Sequence, residues 1–175
     1  MPQTQPQPQT QTQPQAVVVH AADAEILDGP SPMRLLADSD ASSGAFSVSS
    51  GTIAAGTANA KPHVHKRSWE VFYVLDGSLE ILLGDEIVTV GRGGAVGVPP
   101  GLVHAFGASP DGPVELLVLI TPGVQRFDYF RVLPEVLRGT FSPEELEEMH
   151  DTYDVHFCES PLWEASRAAR EAADL

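Results

Sequence analysis

The feature that most constrains this chain is the rhythm of residues 62 to 121. Six runs of strand length, Glu70 to Leu75, Ser78 to Leu83, Glu86 to Val90, Ala95 to Val98, Val103 to Gly107 and Val114 to Thr121, alternate with short turns. The turns hold residues that reverse a chain: Asp76-Gly77, Gly84-Asp85, Gly91 to Gly94, Pro99 to Gly101 and Ser109 to Pro113. Short strands spaced about 8 to 12 residues apart, with turn chemistry between them, predict an antiparallel sandwich or barrel. No helical pattern of about 10 to 15 residues interrupts them, which excludes a βαβ architecture.

The flanks are different in texture. Residues 1 to 15 consist of seven Gln, four Pro, three Thr and Met1, a composition that cannot repay the entropy of ordering, so a disordered tail is expected there. Ala16 to His20 and Ala45 to Ala54 read as further β-prone runs joined by a connector containing Pro and Asp. After Pro122 the pattern turns helical. Ser142-Pro143-Glu144-Glu145 has the N-cap Ser, first-turn Pro and third-position Glu of a capping box, predicting a helix over about 143 to 151. A second helix is expected over Leu162 to Ala173, rich in Ala, Glu and Arg. The expected organisation is a tail at 1–15, one β domain at 16–125 and a helical extension at 126–175 packed on it.

Charge narrows the partners. Ten Lys plus Arg against twenty-four Asp plus Glu give a net charge of -14, which repels phosphate backbones and anionic headgroups, so neither nucleic acid nor membrane is an expected partner. No run approaches the roughly 20 apolar residues that span a bilayer, and the amino terminus lacks the charged and apolar regions of a secretory signal; a cytoplasmic protein is expected. The single cysteine, Cys158, has no intramolecular partner and is expected to be a buried, inert thiol.

Chemistry concentrates at four positions. His63 and His65 are one residue apart, a spacing that in extended backbone puts both imidazoles on one face about 6.6 Å apart, within reach of one cation. Glu70 leads into the apolar run Val71 to Leu75, where a carboxylate needs a partner to be buried. His104 follows the Pro99 to Gly101 turn. Read alone, a His-x-His pair is more often an ordinary loop feature than a chelate. The surrounding spacing adds to it: Gly56, six residues, His63, one, His65, four, Glu70, six, Gly77; then Gly93, five, Pro99, one, Gly101, two, His104.

In these two motifs and their order the sequence resembles the cupin superfamily over about 50 residues. The resemblance implies an all-β fold, a small double-stranded, jelly-roll-like β-barrel. It also implies one divalent transition metal (Fe, Mn, Ni, Co or Zn) held inside by His63, His65, Glu70 and His104. Ala108 stands where the second motif often ends in Asn. The stretch Glu70 to Gly77, the segment Pro99 to Ala105 and the later Tyr153 to Phe157 look more particularly like bacterial single-domain quercetinases, flavonol 2,4-dioxygenases with a helical segment after the barrel. That similarity implies a metal-dependent dioxygenase for a flavonol-like or other enolisable aromatic molecule, with Glu70 as the catalytic base and dioxygen as co-substrate. The alternatives are a cupin isomerase or polyketide cyclase using the metal as a Lewis acid, and a non-catalytic small-molecule-binding cupin.

Strand alternation then assigns the lining. If Glu70 and His104 point inward, so do Phe72, Val74 and Phe106, which become the expected substrate contacts. No Lys or Arg lies on these strands, which favours a flat, hydrophobic ligand over a phosphorylated one. Arg126 and Arg131 are expected to pair at the surface, and His20, His150 and His156 to have no site role. The outward apolar positions Val71, Tyr73 and Leu75 suit a homodimer contact.

Overall fold

The computed structural model describes residues 15–171. Its strands are β1 (Glu25–Leu27), β2 (Met33–Ala37), β3 (Ser47–Ile53), β4 (His63–Val64), β5 (Trp69–Asp76), β6 (Ser78–Leu83), β7 (Glu86–Gly91), β8 (Ala95–Val98), β9 (His104–Ala108), β10 (Val114–Thr121) and β11 (His156–Phe157); its helices are α1 (Phe127–Leu137), α2 (Pro143–Tyr153) and α3 (Pro161–Glu171). The expected tail lies almost wholly outside the described residues, as does the end of the second expected helix. The strands form two antiparallel sheets, ordered β1-β2-β3-β10-β5-β8 and β11-β4-β9-β6-β7. The fold is a cupin-like pair of opposed sheets; no ladder among the described residues closes them into the expected barrel.

The core lies between the sheets. Phe72 and Val74 of β5, Leu79 and Ile81 of β6 and Leu116 of β10 are buried there, and Phe72 meets Phe106 of β9 edge-on at 4.8 Å. Register is fixed by alternation, since a slip of one residue would turn every one of these side chains outward. At the β5–β6 turn Gly77 has φ 74, and a Cβ there would run into the Pro113 carbonyl, so the Asp76-Gly77 turn requires glycine.

The six strand runs of residues 62 to 121 stand where alternation placed them. Ala16 to His20 forms no strand; the connector beyond it holds β1 and β2, which pair with each other and extend the first sheet. The three residues of β1 are too few to show alternation. The capping box is formed: Ser142 Oγ accepts from Glu145 N–H and Glu145 accepts from Ser142 N–H at 2.8 Å. Helix α1 is an addition, and Pro134 within it masks its pattern. Its N-terminus has no local side-chain cap; Asp38 instead accepts from Arg126 N–H (3.0 Å) and Phe127 N–H (3.0 Å) across 88 and 89 residues of chain. Residues 126–171 also do more than pack on the sheets, because β11 pairs with β4 and becomes an edge strand of the second sheet.

Helix α3 closes the outer face of that sheet. Trp163 packs on Leu82 and Ala105, and the buried Glu80 accepts from Arg167 (2.7 Å) and from Arg170. Across the first sheet the outer side chains Trp69, Tyr73 and Leu75 are exposed.

Candidate metal centre

Four side chains converge between the sheets. His63 on β4 and His104 at the start of β9 are direct partners in the antiparallel ladder, His65 follows β4, and Glu70 stands second on β5. All four are buried, and one ligand atom from each lies within 4.8 Å of the others. The Glu70 Oε2 oxygen is 2.8 Å from His104 Nε2, 3.2 Å from His65 Nε2 and 4.0 Å from His63 Nε2. An ion with bonds of about 2.0 to 2.2 Å spreads its donor atoms over roughly 3 to 4.4 Å, and the 2.8 to 4.0 Å separations from Glu70 Oε2 lie close to that span.

The ring nitrogens on the far side settle which atoms face inward. His63 Nδ1–H donates to the Lys61 carbonyl (2.8 Å), His104 Nδ1–H to the Leu102 carbonyl (2.9 Å) and His65 Nδ1–H to the Asp154 carbonyl. Each ring therefore turns its Nε2 to the centre. Three Nε2 atoms and a carboxylate oxygen are thus gathered at one point, where protons or a cation must sit among them. Burial, with the His104 charge adding to it, lowers His63 to about 3, so it is neutral at physiological pH. Burial opposes the charge on Glu70, yet His65 and His104 beside it hold its carboxyl well below the usual range. These are donors ready for a divalent transition metal, and the four residues singled out by their spacing are brought together complete. His20, His150 and His156 are not part of the set.

The extension completes the support. Asp154, left-handed at φ 55, gives its carbonyl to His65 and its carboxylate to the N–H groups of Lys66 (2.9 Å), Arg67 (3.1 Å) and Ser68 (3.2 Å). One buried residue thus fixes both the ring of His65 and the loop behind it. Sequence reasoning names the Tyr153 to Phe157 segment only through the family resemblance, and misses this role for Asp154.

A cavity of about 90 Å³ opens on His63 and Glu70. Its walls are chiefly apolar and aromatic, including Phe106, Leu116, Val118, Phe130, Leu133 and Phe157. Of the expected substrate contacts, Phe106 is in the lining; Phe72 and Val74 are fully buried behind it in the core. The lining also contains polar groups that the strands alone do not supply. Arg126, expected at the surface, is 4% exposed and enters the cavity from the N-terminus of α1, joined by Tyr129. Burial, reinforced by the Glu70 charge and partly offset by Arg126, pushes the Tyr129 phenol up to about 12. Arg131 does pair at the surface, with Glu25 and Asp128. Cys158 is exposed rather than buried, because it comes just after the last residue of the edge strand β11.

Residues 50–120 match the Cupin domain family. KdgF from Halomonas sp. superposes on the chain with a TM-score of 0.55 at 19% identity, covering 66% of this chain and 99% of its own. The polyketide cyclase RemF from Streptomyces resistomycificus gives 0.51 at 24% identity over 62% of this chain and 80% of its own. A predicted oxalate decarboxylase from Thermotoga maritima gives 0.52 at 19%, covering 59% and 97%. At these identities the likenesses show the fold alone. No curated protein matches the sequence. Among the described residues no helix is long and apolar enough to cross a membrane.

Proposed function

We propose that this cupin is a metal-dependent dioxygenase acting on a small, enolisable aromatic molecule. The observation that carries the proposal is the buried three-histidine, one-glutamate set, whose His63 and Glu70 open onto a mainly apolar cavity. His63, His65, Glu70 and His104 would hold one divalent ion of Fe, Mn, Ni, Co or Zn. Such an ion supplies Lewis acidity to an oxyanion and, where redox-active, a route for electrons to dioxygen.

The chain's own residues do the rest. Glu70, the one carboxylate of the set and part of the cavity lining, takes the proton of an acidic substrate hydroxyl. Phe106 and the apolar walls hold the ring and exclude water, so the charge left on the substrate is felt in a low-dielectric space. Tyr129, a neutral phenol at physiological pH, offers a hydrogen-bond donor to that charge. No Ser-His-Asp or Cys-His nucleophile stands among the described cavity residues.

The test is oxygen uptake by protein reconstituted with each of the five metals, with quercetin and simpler enolisable aromatic compounds as substrates. Uptake coupled to substrate loss is the expected result. Substrate conversion that proceeds unchanged without oxygen would replace the dioxygenase by the second reading, an isomerase or cyclase, which the buried cation and phenol of Arg126 and Tyr129 favour.

The same reading extends to assembly. Trp69, Tyr73 and Leu75 form an apolar outer face on β5 without cover among the described residues, suited to a sheet-to-sheet homodimer. Light scattering at micromolar concentration should report twice the chain mass, and a monomer there removes the proposal.

A further inference from the structure

Arg126 is a buried charge without a counter-charge. A guanidinium cannot shed its proton to escape burial, so an isolated one is costly unless an anion joins it. Among the described residues every other buried or half-buried arginine has found one: Arg167 and Arg170 share Glu80. Arg126 has none. Its Nε is buried with no hydrogen-bond partner, and its guanidinium carbon lies 5.5 Å from the Phe130 ring centroid. Asp38 contacts Arg126 only through the backbone N–H. Glu70 is engaged with His65 and His104.

The backbone of Arg126 is held rather than loose, since Asp38 anchors both its N–H and that of Phe127. The side chain is therefore presented to the cavity by a fixed helix start. Glu70 and Arg126 line the same cavity and border a second void of about 10 Å³ beside it. A ligand that reaches the metal-binding end has Arg126 within its own space.

We infer that Arg126 is the receptor for a carboxylate on the ligand, so that this cavity takes small aromatic or enolisable acids rather than neutral flavonols. The inference rests on the proposed metal-centred site for what the other end of the ligand meets. A planar, delocalised carboxylate matches the fork of a guanidinium, and the aromatic walls around Arg126 suit the ring that bears it. The strands that carry the metal-binding and core side chains bring no cation to the cavity; Lys61, ahead of β4, and Arg126, from the helix after the strands, line it, and of the two only Arg126 is buried.

The test is thermal melting of the full chain, with and without metal, against three matched pairs: acetate and acetamide, benzoate and benzamide, salicylate and salicylamide. At least one acid should raise Tm by about 3 °C or more over its amide, the shift expected at a ligand concentration near ten times Kd. Arg126→Gln should abolish that difference while retaining metal, and Arg126→Lys, which keeps charge but loses the fork, should keep part of it. Without ligand, Arg126→Gln should melt no lower than the wild type, because it removes an unpaired buried charge; a merely structural arginine would lower Tm. Acids that stabilise no better than amides, or that do so equally in Arg126→Gln, overturn the inference. Stoichiometric metal with no acid preference sinks this inference alone. An acid preference dependent on Arg126 in a protein that never takes metal sinks the metal-centred reading alone.

Discussion

The cavity is built from two parts of the chain, a strand end and a carboxy-terminal end. One end is made by the strands: His63 and His104 face each other across a ladder, and each locks its ring onto the carbonyl two residues before it. The other end is made by the carboxy-terminal segment: Arg126 and Tyr129 from α1, Val155 and Phe157 from the stretch around β11. The first is local in sequence and needs only the sheet to form. The second depends on contacts spanning 86 to 89 residues, among them Asp38 to α1 and Asp154 to the His65 loop. His65 belongs to both ends, since its place comes from β4 and its orientation from Asp154.

The largest effect should come from cutting the strand end. His104→Ala removes one of four donors and leaves Glu70 without its 2.8 Å neighbour. Metal per chain, read by elemental mass spectrometry after dialysis, should fall from near one by about 100-fold or more in affinity terms, above what loss of a supporting residue produces. Far-ultraviolet circular dichroism should be unchanged, since His104 packs within a sheet whose ladder does not use its side chain. Metal retained at wild-type level would mean that the four residues do not form the centre.

The same division explains what the sequence discloses. Strand runs, the turn at Gly77 and the capping box at Ser142 are short-range signals, in which the residues that decide the conformation are those that adopt it. The four ligands are legible through their spacing, because ladder geometry converts sequence separation into position. Arg126 is illegible for the opposite reason. Its burial is decided by a helix whose cap is Asp38, far upstream, and whose pattern is broken by Pro134, so nothing near Arg126 distinguishes it from Arg131. Phe72 and Val74 show the limit of alternation: it gives the inward face, but not whether an inward side chain reaches the cavity or lies behind one that does. Cys158 is expected inside on the habit of its residue type, and the chain leaves the sheet edge just before it.

A smaller and more discriminating effect is expected at the junction. Asp154→Asn keeps a residue that tolerates the left-handed backbone and keeps the carbonyl that accepts from His65, but it replaces a carboxylate serving three N–H groups by an amide with one acceptor oxygen. Charge-assisted hydrogen bonds in a buried site put the cost at about 2 kcal/mol, or a fall in Tm of about 4 to 8 °C for a chain of this size. Because the loop that Asp154 fixes carries His65, metal affinity should drop by about tenfold, the lower end of what outer supports of metal ligands contribute. His104→Ala should therefore lose nearly all of its metal, whereas Asp154→Asn should lose stability together with only part of its metal affinity. Titration calorimetry and melting on the two variants separate these patterns. If Asp154→Asn melts early but binds metal as the wild type does, the extension holds the loop without orienting His65, and the two ends of the cavity are independent. If both quantities fall together, the ligand end is finished only when the carboxy-terminal segment has docked.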